Sequence, residues 1–364
     1  MKFCLFITGC QYNYYDANNI THLLTKMGYV YTQKEQEANI IIVLNCSVKQ
    51  KPVDRLFGNI KKWHSFKTNP KIIILGCILA KDKKLMNDRV DLVTTAENFK
   101  NDFTKHIHPA YLSLLSQKNI LKNYCANDIY PADAANNTAY IPIMQGCNNF
   151  CTYCVVPYTR GRETSRNMHE IINQITDAIN NKKTHIILLG QNVNSYFQPN
   201  IFKKGSAFSE LLKQIELIDR PFTYNFLTSN PHDFTDEIIN TLISSKKWEK
   251  ILHLPIQSGN DEILNKMNRK YTVTKYLSII NKIKKSIPDI ILTTDIIVGF
   301  PGETDSQFND TYNLCKKVGF SKVFVSQYSL RPGTMASKFV QNNSLETIKK
   351  RWIKINNLIN KKIS

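Results

Sequence analysis

Three cysteines that lie close together in the sequence place the strongest constraint on this chain. They fall in Gly146-Cys147-Asn148-Asn149-Phe150-Cys151-Thr152-Tyr153-Cys154, with three residues between the first two and two between the last two. Three thiolates at this spacing can bind three irons of a cubane cluster and leave the fourth iron open to a substrate or cofactor. The loop therefore predicts reactive chemistry rather than a structural metal site.

The loop has two alternative interpretations, a zinc site and a redox-active cysteine pair. Closely spaced cysteines also bind Zn²⁺, but a structural zinc site needs a fourth ligand, and no further Cys or His lies near the loop. A redox pair formed by Cys151 and Cys154 is the other alternative, and it leaves Cys147 without a role. The spacing favours an iron–sulfur cluster over both.

The first third of the chain alternates strand and helix patterns. Apolar, β-rich runs lie at 3–8, 40–44 and 71–75, and helical patterns lie between them at 16–27 and 53–66. This alternation predicts a doubly wound parallel sheet. Each run is followed by a cysteine, namely Cys10, Cys46 and Cys77. Because the loops after parallel strands meet at the carboxyl edge of a sheet, we expect these thiols to converge in a second cluster site.

The alternation resumes from residue 139. Strand patterns recur at 140–144, 185–189, 223–227, 251–254, 290–297 and 322–326, separated by helical patterns such as 168–180 and 273–285. Six such units predict a partial (β/α)6 barrel. The Cys147 loop follows the first of these strands, on the face where barrels place their active sites.

These patterns divide the chain into four segments: an N-terminal domain at 1–117, a polar linker at 118–138, the barrel at 139–335 and a basic C-terminal helix at 336–364. In the last segment, one helix face can be shared by Leu345, Ile348, Trp352, Ile355 and Ile359. We expect this helix to cap the barrel rather than to bind RNA directly.

The formal net charge of the 364-residue chain is +19. Such an excess favours a polyanionic partner, most simply RNA or DNA. The alternative is compositional, because an AT-rich coding sequence also yields many scattered lysines. No apolar run reaches the length of a membrane span, and the apolar N-terminus is too short for a signal peptide. We therefore expect a cytoplasmic protein with reduced thiols and no membrane association.

Six segments together resemble the radical S-adenosylmethionine methylthiotransferase family, most closely its members that modify isopentenyl-adenosine in tRNA. They are Cys147 to Arg162, Leu189-Gly190-Gln191-Asn192-Val193-Asn194, Leu252-His253-Leu254-Pro255-Ile256-Gln257-Ser258-Gly259, Asp295-Ile296-Ile297-Val298-Gly299-Phe300-Pro301-Gly302-Glu303-Thr304, Arg331-Pro332-Gly333-Thr334, and Gly9-Cys10-Gln11 with Asn13 and Asp16. The likeness covers nearly the whole chain. Two departures are Leu44 before Asn45-Cys46, where the family usually has Asn-Thr-Cys, and Pro52 in place of a usual alanine.

The resemblance implies a role for each set of cysteines. The set Cys147, Cys151 and Cys154 would hold a [4Fe–4S] cluster whose open iron binds S-adenosylmethionine. Reductive cleavage of that cofactor would release a 5′-deoxyadenosyl radical, which would abstract the hydrogen from C2 of an adenine ring. The set Cys10, Cys46 and Cys77 would hold an auxiliary [4Fe–4S] cluster that delivers sulfur, and a further S-adenosylmethionine would donate the methyl group.

Other residues in the matching segments are candidates to bind the cofactor. They are Gln191, Asn192, Gly299, Gly302, Glu303 and Arg160. The glycines would allow close backbone approach, Glu303 would bind a polar group, and Arg160, like Arg162 and Arg166, would bind a phosphate or the cofactor carboxylate. Gln191 and Asn192 would line the site. The alternatives are an ordinary βα turn for the Gly299–Glu303 segment, a polar loop cap for Gln191 and Asn192, and a solvated loop for the arginines.

Other side chains have simpler interpretations. The cysteines Cys4, Cys125 and Cys315 lack such a pattern and are expected to be free structural thiols. The aromatic residues beside Cys10 can stack a flipped base or simply pack in the core; they are Tyr12, Tyr14 and Tyr15.

The activity implied by the resemblance is methylthiolation of C2 of N6-isopentenyl-adenosine, at position 37 beside the tRNA anticodon. Alternatives within the family are threonylcarbamoyl-adenosine in tRNA and an aspartate of a ribosomal protein. A non-catalytic, RNA-binding iron–sulfur protein is the alternative of another class, because the small β-barrel RNA-binding (TRAM) domain of the family is expected to be absent. The implied partners are the tRNA anticodon stem-loop and an electron donor such as flavodoxin or ferredoxin, and we expect a monomer.

Overall fold

The computed structural model of the chain describes residues 1–108, 137–197 and 206–360. It has two compact units, the first formed by Met1–Asn137 with Tyr158–Arg160 and the second by Thr138–Pro157 with Gly161–Ser364. Most of the predicted linker, and Cys125 within it, lie outside the described residues. In the described ranges no helix is long and apolar enough to cross a membrane.

Among its described residues, the first unit contains a five-stranded sheet with four α-helices. The strands are β1 (Lys2–Ile7), β2 (Val30–Tyr31), β3 (Ile40–Cys46), β4 (Lys71–Cys77) and β5 (Leu92–Val93), and the helices are α1 (Gln11–Lys26), α2 (Gln50–Trp63), α3 (Ala80–Asn87) and α4 (Phe99–His106). All strands pair in parallel, in the order β2-β1-β3-β4-β5. Helices α1 and α4 contribute to the core on one face of the sheet and α2 and α3 to the core on the other. The predicted doubly wound parallel sheet is confirmed.

The middle strands of this sheet explain its apolar sequence runs. On β3, Ile40, Ile42 and Leu44 face one core, while Ile41 and Val43 face the other. Because both faces are covered by helices, the strand is continuously apolar instead of alternating with polar residues. The strand ends where the chain leaves this double cover, at Cys46.

The second unit contains the remaining strands and helices. The strands are β6 (Thr138–Pro142), β7 (Met144–Gln145), β8 (Thr164–Ser165), β9 (His185–Leu189), β10 (Thr223–Phe226), β11 (Ile251–His253), β12 (Ile291–Val298) and β13 (Lys322–Gln327). The helices are α5 (Val156–Thr159), α6 (Met168–Asn180), α7 (Ser206–Glu216), α8 (Asp236–Ser244), α9 (Asp261–Lys266), α10 (Val273–Ser286), α11 (Asp305–Val318) and α12 (Leu345–Ile359). The second half of α5, Tyr158 and Thr159, belongs to the first unit.

Six of these strands form the predicted partial barrel. They make two parallel sheets, β10-β9-β6 and β11-β12-β13, and a parallel bridge between Tyr224 and Trp248 continues from β10 toward β11. The short strands β7 and β8 pair with each other in antiparallel fashion, beside the loop that carries Cys147. The partial (β/α)6 barrel is therefore confirmed, and the cysteine loop lies after its first strand.

The C-terminal helix α12 packs on the barrel through Ile348, Ile355 and Ile359, which belong to the barrel core. The predicted five-residue apolar face is wrong at its start, because Leu345 is 86% exposed. The buried face instead includes Arg351. The helix is turned so that this guanidinium reaches buried Glu303, 2.8 Å away.

Candidate active site with two cysteine triads

The loop with Cys147, Cys151 and Cys154, the first triad, begins at a glycine that no other residue can replace without strain. Gly146 has φ of 76°, and a Cβ placed on it would lie 2.1 Å from the carbonyl oxygen of Arg162. Its N–H donates to Oε1 of Gln191 at 2.6 Å. Gln191, predicted to bind the cofactor, thus fixes the start of the loop that carries the triad.

The middle of the loop is braced by the residues after α9. Phe150 has φ of 47°, an uncommon conformation for a residue with a side chain. The Nδ2 of Asn268 donates to the carbonyl oxygens of Asn149 and Phe150, at 3.1 and 3.0 Å. The N–H of Thr152 donates to the carbonyl oxygen of Met267 at 3.1 Å. The loop conformation is therefore held by the barrel.

Each sulfur of the first triad accepts a hydrogen bond. The donors are Nδ2 of Asn149 to Cys147 at 3.5 Å, Nη1 of Arg269 to Cys151 at 3.4 Å, and the N–H of Val156 to Cys154 at 3.4 Å. In the described parts of the chain no three Cys, His, Asp or Glu side chains are close enough to hold a single metal ion. A cubane cluster is held differently from a single ion, because each cysteine binds a different corner iron.

The thiols of the first triad would be stabilised as thiolates by a bound cationic group. The pKa of Cys154 is raised to about 12, mainly by burial and also by a negative charge on Cys151. Burial likewise raises the pKa of Cys147. Three thiolates would repel one another here without a positive partner, and bound iron supplies the charge that stabilises them.

The second triad, Cys10, Cys46 and Cys77, lies at the carboxyl edge of the first unit's sheet. Cys46 and Cys77 are the last residues of β3 and β4 and are paired in register. A Cβ placed on Gly9, which has φ of 108°, would lie 2.5 Å from the Cβ of Cys46, so the residue before Cys10 packs directly against Cys46. The pKa of Cys46 is raised to about 11, mainly by burial and also by charges on Cys77 and Cys10. The structure thus brings the three thiols together.

Arg160 lies at the second triad, within the first compact unit. Its Nε donates to the sulfur of Cys77 at 3.1 Å, and its Nη2 donates to Asn13 and Asp16 at 3.0 and 3.3 Å. Arg160 thus donates all three of these hydrogen bonds to side chains of the protein itself. Binding of a cofactor carboxylate or a phosphate by Arg160 therefore stays a prediction that these contacts do not favour.

Asn192, predicted to bind the cofactor, borders a cavity in the second unit of about 690 Å³. Its Nδ2 donates to Oδ2 of Asp233 at 2.7 Å, whereas its Oδ1 is buried and has no hydrogen-bond partner among the described residues. The cavity is lined by Asn148, Asn149, Glu163, Thr164, Ser165, Asn192, Ser195, Phe197, His232, Asp233 and Lys270. A buried acceptor without a partner beside a polar cavity fits a bound ligand that donates hydrogen bonds, as the ammonium group of S-adenosylmethionine does.

The Gly299–Glu303 turn uses its polar groups inside the protein. Glu303 accepts hydrogen bonds from the N–H of Gly299 at 2.7 Å and from Nη1 of Arg351 at 2.8 Å. The N–H of Gly302 donates to Oδ1 of Asn342 at 2.9 Å. A Cβ on Gly299 would lie 2.3 Å from Ile348, so this glycine admits helix α12. These contacts give the turn a structural role, and cofactor binding by it stays a prediction.

Arg269 and Asn268 are site residues that the sequence patterns did not reveal. Arg269 is partly buried and, besides Cys151, donates to the carbonyl oxygen of Pro255 at 3.2 Å and to the hydroxyl of Tyr271 at 3.0 Å. Neither residue stands in a segment of recognisable spacing. The only available signal was a positive charge next to a turn, which is common on any surface.

Comparison with known proteins bears directly on this site. Residues 141–315 match the Radical SAM superfamily, and residues 2–95 match Uncharacterized protein family UPF0004. The tRNA-2-methylthio-N(6)-dimethylallyladenosine synthase of Clostridium botulinum (strain Langeland / NCTC 10281 / Type F) is 39% identical over 370 residues, 97% of this chain and 80% of that protein. This chain belongs to the radical SAM methylthiotransferase family. A synthase of the same name from Clostridium perfringens (strain 13 / Type A) is 38% identical over 372 residues, 99% of this chain and 82% of that protein.

Solved structures support the fold of this methylthiotransferase. The radical S-adenosylmethionine methyltransferase TsrM from Kitasatospora setae, with cobalamin and a [4Fe-4S] cluster bound, superposes with a TM-score of 0.63 at 12% identity, covering 92% of this chain and 76% of that one. The cobalamin-dependent radical enzyme OxsB superposes with a TM-score of 0.57 at 11% identity, covering 98% and 57%. At these identities the likeness concerns the fold alone.

Family membership establishes the chemistry class. The protein is an enzyme, a radical SAM methylthiotransferase, and its cofactors are two [4Fe–4S] clusters and S-adenosylmethionine. The alternative of a non-catalytic iron–sulfur protein is therefore set aside. The assignment of one cluster to each cysteine triad stays a prediction.

Proposed function

We propose that this enzyme methylthiolates C2 of N6-isopentenyl-adenosine at position 37 of tRNA, beside the anticodon. The observation that carries the proposal is the extent of the match to synthases named for this product, which covers 97 to 99% of the chain at 38 to 39% identity. That alignment extends across both cysteine triads. In the proposed reaction the C2–H bond of adenine is replaced by a C2–S bond, and the sulfur carries a methyl group.

We assign the first triad to the cluster that binds S-adenosylmethionine. When bound, this cluster supplies the electron that cleaves the cofactor and produces a carbon radical able to break a strong C–H bond. The chain's own residues position the cluster loop and the cofactor, and they exclude water from the site. Gln191 fixes the start of the loop, Asn268 fixes its middle, and Arg269 covers the sulfur of Cys151. Asn192 lines the cavity, and its buried Oδ1 lacks a partner among the described residues, which makes it a candidate acceptor for the amino group of the cofactor.

We assign the second triad to the auxiliary cluster that provides sulfur. Cys46 and Cys77 are held in register by neighbouring strands, and Cys10 stands before α1. This arrangement leaves an iron without a cysteine, at which a sulfur atom awaiting transfer can bind.

The proposed partners follow from the substrate and from charge. The net charge of +19 suits a tRNA anticodon stem-loop, whose phosphates attract a basic protein. A flavodoxin or ferredoxin would supply electrons, and the enzyme would act as a monomer in the cytoplasm, where thiols stay reduced.

The substrate is tested by offering the reconstituted enzyme three competitors under anaerobic conditions with a reductant and S-adenosylmethionine. These are a stem-loop with isopentenyl-adenosine, a stem-loop with threonylcarbamoyl-adenosine, and a ribosomal-protein peptide containing aspartate. Mass spectrometry of the products should find the methylthio group only in the first. Product formed only in the second or third would contradict the proposed substrate.

A pair of cysteine variants tests the assignment of the second triad. Cys46→Ala should still release 5′-deoxyadenosine from S-adenosylmethionine but should form no methylthio product. Cys4→Ala is the matched control, because Cys4 is a buried cysteine of the same unit outside the triad, and it should retain both activities. Methylthiolation by the Cys46→Ala variant would refute the sulfur-donor assignment.

A further inference from the structure

A buried guanidinium lies against one sulfur of the second triad. The Nε of Arg160 is 3.1 Å from the sulfur of Cys77. The side chain of Arg160 is only 9% exposed, and that of its ion-pair partner Asp16 is 7% exposed. A charged pair at this depth is costly unless its geometry is fixed and its hydrogen bonds are satisfied.

The surroundings of Arg160 fix its geometry. Its guanidinium carbon lies 4.1 Å from the centre of the Tyr12 ring. Its Nη2 donates to Oδ1 of Asn13, and the Nδ2 of the same Asn13 donates to the carbonyl oxygen of Thr8 at 2.6 Å. Arg160 is thus held by a stacked ring, a carboxylate and an amide that is itself anchored to the strand end.

The effect of such an arginine on an iron–sulfur cluster follows from charge. Reduction adds one negative charge to the cluster, so a nearby positive charge favours the reduced form. Hydrogen bonds to the ligand sulfurs and the net charge around a cluster are among the main factors that set its reduction potential. The outer partners of metal ligands also orient those ligands. Asp16 has the opposite sign and lies behind the guanidinium, so it opposes the effect of Arg160.

We propose that Arg160 is a positioning residue of the auxiliary cluster, which orients Cys77 and raises the reduction potential of that cluster, while Asp16 limits the rise. The order in which the two clusters accept electrons then depends on this Arg160–Asp16 pair. The proposal rests on the assignment of the auxiliary cluster to the second triad and not on the identity of the tRNA base.

The test measures the reduction potential of the auxiliary cluster in the reconstituted full-length enzyme, without tRNA. Dithionite titration is followed by electron paramagnetic resonance, and the auxiliary signal is identified as the one that Cys46→Ala lacks. Arg160→Gln should shift its midpoint potential downward, Asp16→Asn should shift it upward, and Arg160→Lys, which keeps the charge, should shift it less than Arg160→Gln. Arg162→Gln is the matched control, because Arg162 lies over the Phe150 ring in the second unit, and it should cause no shift.

Opposite shifts for the two charge changes separate an electrostatic role from a general loosening of the site. An unchanged potential in an Arg160→Gln variant that keeps all its iron would overturn the proposal, as would shifts of the same sign for Arg160→Gln and Asp16→Asn. If Arg160→Gln loses its auxiliary irons, Asp16→Asn decides alone: an upward shift supports the proposal, and an unchanged potential overturns it.

Discussion

The buried ion pair between Arg351 and Glu303 should hold the C-terminal helix on the barrel. Their side chains are 5% and 0% exposed, and the atoms Nη1 and Oε2 are 2.8 Å apart. Arg351→Met removes the charge but keeps an apolar stem against the ring of Phe308, which lies 5.4 Å from the guanidinium carbon. The variant leaves a carboxylate buried without its cation.

The expected cost is about 3–5 kcal/mol of unfolding free energy, the usual result of removing one partner from a buried pair. The second partner of Arg351, Asp305, has a side chain that is 86% exposed and should add little. After the substitution Glu303 retains only the N–H of Gly299, at 2.7 Å, among its donors in the described structure. Protonation of Glu303 then has a lower free-energy cost than keeping its carboxylate charged and buried.

This cost should depend on pH. Burial raises the pKa of Glu303 above its usual 4.5, and Arg351 opposes that shift. A raised folded-state pKa means that the folded chain keeps a proton that the unfolded chain has released, so stability falls as pH rises from about 4.5 through the folded-state pKa. Without Arg351 the pKa should rise further, and the destabilisation should be larger at pH 8 than at pH 5 by roughly 1.4 kcal/mol per unit of extra shift.

The assay is anaerobic urea unfolding of the reconstituted enzyme at both pH values, followed by tryptophan fluorescence, because Trp352 lies on the same helix. Lys350→Met is the matched control, since its ion pair with Glu346 is exposed, and it should leave the free energy of unfolding nearly unchanged. The double change Glu303→Gln with Arg351→Met should recover part of the loss. A cost below about 1 kcal/mol for Arg351→Met, with no dependence on pH, would refute this reasoning.

Two further predictions concern retention of the clusters. Gly9→Ala should lose the auxiliary irons and keep the others, because the added methyl collides with Cys46. Gly146→Ala should lose the irons of the first triad and keep the auxiliary ones, because its methyl collides with the backbone of Arg162. Gly28→Ala, with open space around it, should keep all iron. Iron analysis of each variant checks these expectations, and equal iron loss in all three variants would contradict the assignment of one cluster to each triad. Asn268→Ala should free two loop carbonyl oxygens, so a chelator should remove the iron of the first cluster several-fold faster. An unchanged rate of iron removal would show that Asn268 is not needed to hold the loop.

The architecture was predictable because it is encoded locally. The continuous apolar run at 40–44 can be satisfied only between two layers of helices, and each such run is followed by a cysteine at the sheet edge. The spacing of Cys147, Cys151 and Cys154 likewise carries its chemistry within eight residues. Periodicity and spacing were therefore sufficient for the fold class and for the positions of the two triads.

The partners of individual side chains were not predictable, because they depend on distant segments. Arg160 was expected at the cofactor but bonds to Cys77, 83 residues earlier in the chain. Glu303 was expected to bind the cofactor but pairs with Arg351, 48 residues later. Sequence pattern indicates that such residues are polar and lie near a loop, whereas only packing determines which acceptor or donor they reach.

The central claim is that two separate cysteine triads each hold a four-iron cluster. Anaerobic reconstitution followed by iron and sulfide analysis tests it most directly. The unaltered chain should bind about eight irons, and about four should remain when all three cysteines of either triad are replaced by alanine. About four irons in the unaltered chain, or no loss on replacing Cys10, Cys46 and Cys77, would contradict the claim.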